Sequence, residues 1–297
     1  MKQTFILIAL LLLCYTGKAQ NLTEFNQLLK DGDSIAQKQF LEKWEKTGTD
    51  NPDFYVACFN YYVNKSRKEN ITFQNDEGEG ESFVILDSLN NKAGYLNSRV
   101  IYNEKDAKKA LQYIDKGIDK FPERLDMRFG EVYFLGKLEE YEKFTGSIIK
   151  TIDYSATIKN AWLWKGNQPL DDAKAFMLGS VQDYVVQLYN TGQDALFDNI
   201  RRIAEAVLKH YPDHVESLSN LSIAYMMQNK TDKALEALLK AEKLAPEDTI
   251  VLGNIAHAYK LKKDKANAVK YYNLVKKYGD EDEKAFAEEK IKNLGEE

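Results

Sequence analysis

The chain has 297 residues, 44% of them hydrophobic and 29% charged, with a formal net charge of −5. That length allows one or two domains with a large core, and the acidic balance argues against nucleic-acid phosphates and anionic membrane faces as partners. Beyond the N-terminus, no apolar run approaches the roughly 18 residues that a membrane-crossing helix needs.

Residues 1–19 carry a basic start (Lys2), an apolar core from Phe5 to Leu13 and the small-residue pattern Gly17-Lys18-Ala19. This order predicts a signal peptide cleaved before Gln20, export to the periplasm or exterior, and no stable membrane insertion afterwards. Cys14 leaves open a lipoprotein anchored at that residue, although Leu13 before it is bulkier than such sites prefer. Cleavage leaves Cys58 as the one cysteine, so no internal disulfide is expected. Its place in an apolar helical run makes it a small core residue.

Residues 20–66 are expected to form N-terminal helices over Leu22 to Lys30, Ser34 to Thr47 and Pro52 to Asn64. Asp33 is the natural cap of the second, and Ile35, Phe40, Leu41 and Trp44 are its apolar positions. Residues 67–104 interrupt the helical pattern. Ile71 to Gln74 and Ser82 to Leu86 are β-type runs on either side of an acidic, glycine-containing link, which predicts a β-hairpin near 70–87. The order of acids in that link does not match a calcium loop, so a solvated loop is expected.

Residues 105–212 return to helical spacing in pairs: Asp106 to Phe121, Leu125 to Leu138, Tyr141 to Ile152, a helix opened by Asp171 and Asp172, and Ala195 to Tyr211. Trp162 and Trp164 fall in a less regular link between these helices. Phe121-Pro122-Glu123, Tyr211-Pro212-Asp213 and Ala245-Pro246-Glu247 place the same sequence, a helix end, a proline and an acid, at three junctions.

Residues 213–282 contain two clear copies of one pattern. Offset by 34 residues, Leu218 falls over Leu252, Asn220 over Asn254, Leu221 over Ile255, Ala224 over Ala258, Tyr225 over Tyr259 and Ala234 over Ala268. A fixed period of this kind marks stacked units, each with an apolar face that only its neighbour covers. Asp213 and Glu216 fit a capping box at the first helix, and Tyr225 is expected to pack over Ala234 as core. Residues 283–297 supply a polar-backed capping helix.

The spacing of Leu218, Leu221, Tyr225, Ala234, Leu238, Ala241 and Pro246 resembles the tetratricopeptide repeat, a helix–turn–helix unit. The resemblance implies an all-α fold, a right-handed α-α superhelix of such helix pairs, here with the β-hairpin inserted. It also implies a concave groove lined by the first helix of each repeat. Its positions in this chain are Glu216, Ser219, Asn220, Ile223 and Met227, then Ile250, Gly253, Asn254, His257 and Leu261. An amide such as Asn220 or Asn254 can hydrogen-bond a ligand's backbone, and the apolar members favour an amphipathic helix or apolar peptide. No lysine or arginine stands at these positions, which argues against capture of a terminal carboxylate.

No nucleophile-elbow, zinc-protease or phosphate-loop motif occurs in the sequence, and His210 and His214 are separated by Tyr211-Pro212-Asp213, which keeps them off one helix face. No catalytic residue, metal or cofactor is therefore assigned. Asn220 also begins one of five N-x-[ST] triplets, within a packed helix pair where a glycan has no room, as in an unglycosylated bacterial setting. The expected role is a non-enzymatic, exported protein-interaction scaffold that holds a protein or peptide. Its alternatives are an architectural, self-assembling envelope protein or an enzyme without a recognisable motif.

Overall fold

The computed structural model describes residues 21–77 and 81–296. The expected signal segment, its cleavage site and Cys14 lie outside these residues. Helices account for most of the described residues, in consecutive packed pairs, and a three-stranded β insertion and a two-stranded ribbon interrupt them. No helix among the described residues is long and apolar enough to cross a membrane. The chain divides into two compact units, one ending at Leu138 and including Trp162–Pro169, the other holding Glu139–Ala161 and everything from Leu170 onward. The division falls inside the stretch 105–212 that the sequence groups together.

The first unit opens with α1 (residues 21–30), α2 (Ser34–Thr47) and α3 (Pro52–Ser66). Asp33 caps α2 by accepting from the amides of Ile35 and Ala36, and Asn51 caps α3 with Pro52 in its first turn. Leu41 and Trp44 enter the core as expected, but Ile35 is 70% exposed because it sits at the start of α2 on the outer side. Cys58 is buried, and burial followed by the nearby Glu45 charge pushes its thiol pKa up, so it stays protonated and inert.

Helix α4 (Glu104–Lys120) packs against α3, so the residues between them form an insertion within one helix pair. Three strands fill it: β1 (Arg67–Gln74), β2 (Glu81–Leu86) and β3 (Lys92–Tyr102). The sequence pairs the first two with each other. In the structure both pair antiparallel with β3, which takes the centre in the order β1-β3-β2. The hairpin is therefore β2–β3, closed by Asp87, whose Oδ1 accepts from the amides of Leu89 and Asn91. Gly94 lies under the Phe73 ring, where an added Cβ would come within 2.5 Å of it, so only glycine fits there.

Helix α5 (Leu125–Lys137) closes the first unit with a two-residue ribbon, β4 (Leu163–Trp164) against β5 (Gln168–Pro169). Trp162 is buried under the Arg128 guanidinium, and Trp164 is half-buried.

The second unit stacks α6 (Tyr141–Thr157), α7 (Ala173–Asn190), α8 (Phe197–His210), α9 (Val215–Met227), α10 (Thr231–Leu244), α11 (Thr249–Leu261), α12 (Lys265–Tyr278) and α13 (Glu281–Glu296). From α8 to α13 each helix packs on the next, and α9 also meets α7 and α11. One apolar cluster runs through this stack, with Leu238, Ala241, Leu252, Ile255, Ala258 and Ala268 fully buried. Small residues at Ala234, Ala241 and Ala268 let paired helices approach closely. Tyr225 contributes less than expected. It is half-buried at the edge of the cluster, with Lys233 over its ring and its hydroxyl 3.5 Å from Glu205, so its removal leaves a smaller hole than a core aromatic would.

The three proline junctions have one backbone geometry. Phe121, Tyr211 and Ala245 have φ between −130° and −138° and ψ between 65° and 76°, and each donates its amide to the carbonyl four residues back. The following proline disfavours the helical region for the residue before it, so the helix stops there. The expected capping box is elsewhere. Helix α9 starts at Val215 with His214 as its cap, and the reciprocal pair occurs at α13, where Asp280 and Glu283 each accept the other's amide.

Candidate functional site

In the second unit the first helices of successive pairs, α7, α9 and α11, stand side by side, and cavities follow the line between them. One of about 220 Å³ lies between Val185, Val186 and Tyr189 of α7, Glu216, Ser219, Asn220 and Ile223 of α9, and Ile250 of α11. Ile250 also borders a cavity of about 580 Å³ shared with Asn254 and His257 of α11, Tyr272 of α12 and Phe286 of α13. On the other side Gln182 and Glu216 border a third, also about 580 Å³, reaching Asp172, Lys174 and His214. Shared walls make these one continuous groove.

Most of the residues expected from the sequence line it: Glu216, Ser219, Asn220, Ile223, Ile250, Gly253, Asn254 and His257. Met227 lies at the C-terminal end of α9, in a hollow of about 230 Å³ that shares Tyr189 with the first cavity and reaches Phe197. Leu261 is exposed at the C-terminal end of α11.

The two asparagines make bonds between helices. Asn220 Nδ2 donates to Gln182 Oε1 of α7 at 2.7 Å, and Asn254 Nδ2 donates to Ser219 Oγ of α9 at 2.9 Å. Asn220 and Ser219 are buried. These bonds fix the spacing of the groove wall, while the surface it presents is apolar: Ile250 is 67% exposed, Tyr189 52% and Val186 45%. The α7 contribution was missed in the sequence. Gln182, Val185, Val186 and Tyr189 stand one repeat length ahead of Glu216, Ser219, Asn220 and Ile223, so carrying the 34-residue offset upstream finds them.

His214 is a titratable group built into the groove wall as the cap of α9. Its Nδ1 accepts from the Ser217 amide at 3.3 Å and lies 2.9 Å from Ser217 Oγ, while Nε2 is 3.3 Å from Glu216. A ring that accepts at Nδ1 is neutral, with its proton on Nε2 directed at Glu216. Burial pushes its pKa down; Glu216 opposes this and Lys174 adds to it. His257, across the groove, is pushed down by burial, then by Lys260 and Lys290. The unfolded chain therefore binds protons that the fold rejects. This stability is complete above the unfolded value of 6.5 and is lost as pH falls through the lower folded value. Substitution His214→Asn keeps a capping oxygen but cannot titrate. Its melting temperature is expected to fall less than that of the wild type on acidification below about pH 6.5. Parallel curves would show that His214 is not held neutral.

His210 is engaged elsewhere, with Nε2 2.6 Å from the Asp153 carboxylate that also binds Lys209. Among the described residues no three His, Cys, Asp or Glu side chains gather closely enough to hold a metal.

Stacked helix pairs with a groove across their first helices define a helical-repeat protein. Residues 215–248 match the family model of the tetratricopeptide repeat, and the chain carries that repeat there. No curated protein matches the chain. Among solved structures it is similar to YrrB, a tetratricopeptide-repeat protein described as having an unusual peptide-binding site, at 17% identity over 81% of this chain and 90% of that one, with a TM-score of 0.36. It is also similar to TTC0263, a thermophilic repeat protein of Thermus thermophilus, at 12% identity over 64% of this chain and 91% of that one, with a TM-score of 0.37. The repeat domain of P58(IPK) matches at 12% identity over 95% of this chain and 66% of that one, with a TM-score of 0.35.

Proposed function

We propose that the chain is a non-enzymatic protein-interaction scaffold of the cell envelope or exterior, and that the groove across α7, α9 and α11 holds a segment of a partner polypeptide. The observation that carries this reading is the exposed apolar surface of Val186, Tyr189 and Ile250 along one continuous groove whose wall is tied together by side-chain bonds. Apolar surface held rigid and open is what a docking segment needs, because little ordering remains to be done on binding. Export rests on the basic, then apolar, then small-residue order of residues 1–19. The alternative of self-assembly draws on the exposed strand residues Ile71, Phe73 and Phe83 of the insertion. The groove is tested by recovering partners on tagged wild-type protein and on the Tyr189→Glu/Ile250→Glu variant. Loss of a partner from the variant is the expected result, and equal recovery would remove the groove as the site.

A further inference from the structure

We infer that the occupant of this groove is a cationic amphipathic segment, apolar on one face and lined with lysine or arginine on the other; the inference rests on the groove reading above. The apolar floor of Val186, Ile223 and Ile250 is bordered by carboxylates from all three helices. Asp183 projects from α7, Glu216 from the first turn of α9, and Asp248 from the cap of α11. Against these three stands one lysine, Lys174, whose ammonium lies over the Tyr211 ring. His214 adds no charge, because its capping bond requires the neutral ring. The far cavity does hold two cations, Lys260 and Lys290, but Asp282 and Glu283 line the same cavity and balance them. The excess along the groove is therefore negative. A segment with carboxylates on its polar face would meet like charge along α7 and α9, whereas ammonium or guanidinium groups there complete the field.

The test uses the full chain and two synthetic helices of about 18 residues, some five turns. One alternates leucine with lysine at amphipathic spacing; the other carries glutamate in place of lysine. By fluorescence anisotropy the lysine peptide is expected to bind at least about tenfold tighter, with affinity falling as salt is raised. The Asp183→Asn/Glu216→Gln variant is expected to lose about tenfold of that affinity. Removing two acids from the insertion, Asp76→Asn/Glu77→Gln, controls for net charge and is expected to change nothing. An equal loss in that control would overturn the inference by showing that bulk charge alone attracts the peptide. Equal binding of both peptides, abolished by Ile250→Glu, would overturn the charge assignment and leave the groove standing. Binding of neither peptide would overturn both.

Discussion

Replacing Arg124 with methionine is expected to lower the stability of the first unit by about 3–5 kcal/mol. The guanidinium is 1% exposed and uses its whole fork. Nε and Nη2 each donate to the Asp126 carboxylate at 2.8 Å, Nη2 also donates to Asp53 at 2.9 Å, and Nη1 donates to Asn167 at 3.0 Å. Those bonds join the start of α3, the start of α5 and the turn between β4 and β5. Methionine fills comparable space, so the loss measures two buried carboxylates left without a counter-charge rather than a cavity. Lysine should not rescue, since a single ammonium cannot reproduce the two-pronged contact. All three tryptophans, Trp44, Trp162 and Trp164, belong to this unit, so denaturant unfolding followed by tryptophan fluorescence reports on it alone. A loss under about 1 kcal/mol would show that the network is solvated and marginal, as surface pairs are.

Introducing glutamate at Tyr189 and Ile250 together is expected to weaken partner binding at least about 100-fold while changing stability by no more than about 0.5 kcal/mol. Both side chains are more than half exposed, so the fold loses little by their replacement. A docked apolar segment would bury two new carboxylates without partners and would lose the two protruding contacts of the groove. Added negative charge beside Glu216 and Asp248 does not by itself repel a basic segment. If the double variant bound a lysine-faced ligand as well as the wild type does, apolar contact would contribute nothing and the groove would act as a charged strip only.

Local chemistry made much of this fold legible. The three proline junctions, the cap at Asp33 and the repeat in 213–282 each depend on residues within a few positions of one another or at one fixed offset. Pairings between distant segments were not legible. Lys92–Tyr102 has glycine, asparagine and serine among its apolar residues, so nothing local marks β3 as the central strand. It is central because it alone has partners on both sides. The capping box at Asp213 and Glu216 was a plausible pattern displaced by one register, since His214 offers a nearer acceptor to the Ser217 amide. Groove positions followed from the resemblance to the tetratricopeptide repeat, but the use made of Asn220 and Asn254 did not. Their acceptors, Gln182 and Ser219, come from the preceding first helix, and only three-dimensional stacking sets that distance.

The most direct measurement is methyl-resolved NMR of the full chain during titration with the lysine-faced peptide. The account predicts that the methyl signals of Val186, Ile223 and Ile250 shift together and saturate at one affinity. Shifts centred instead on Ile71 and Ile85 of the insertion, or on the exposed Leu244 of α10, would contradict it.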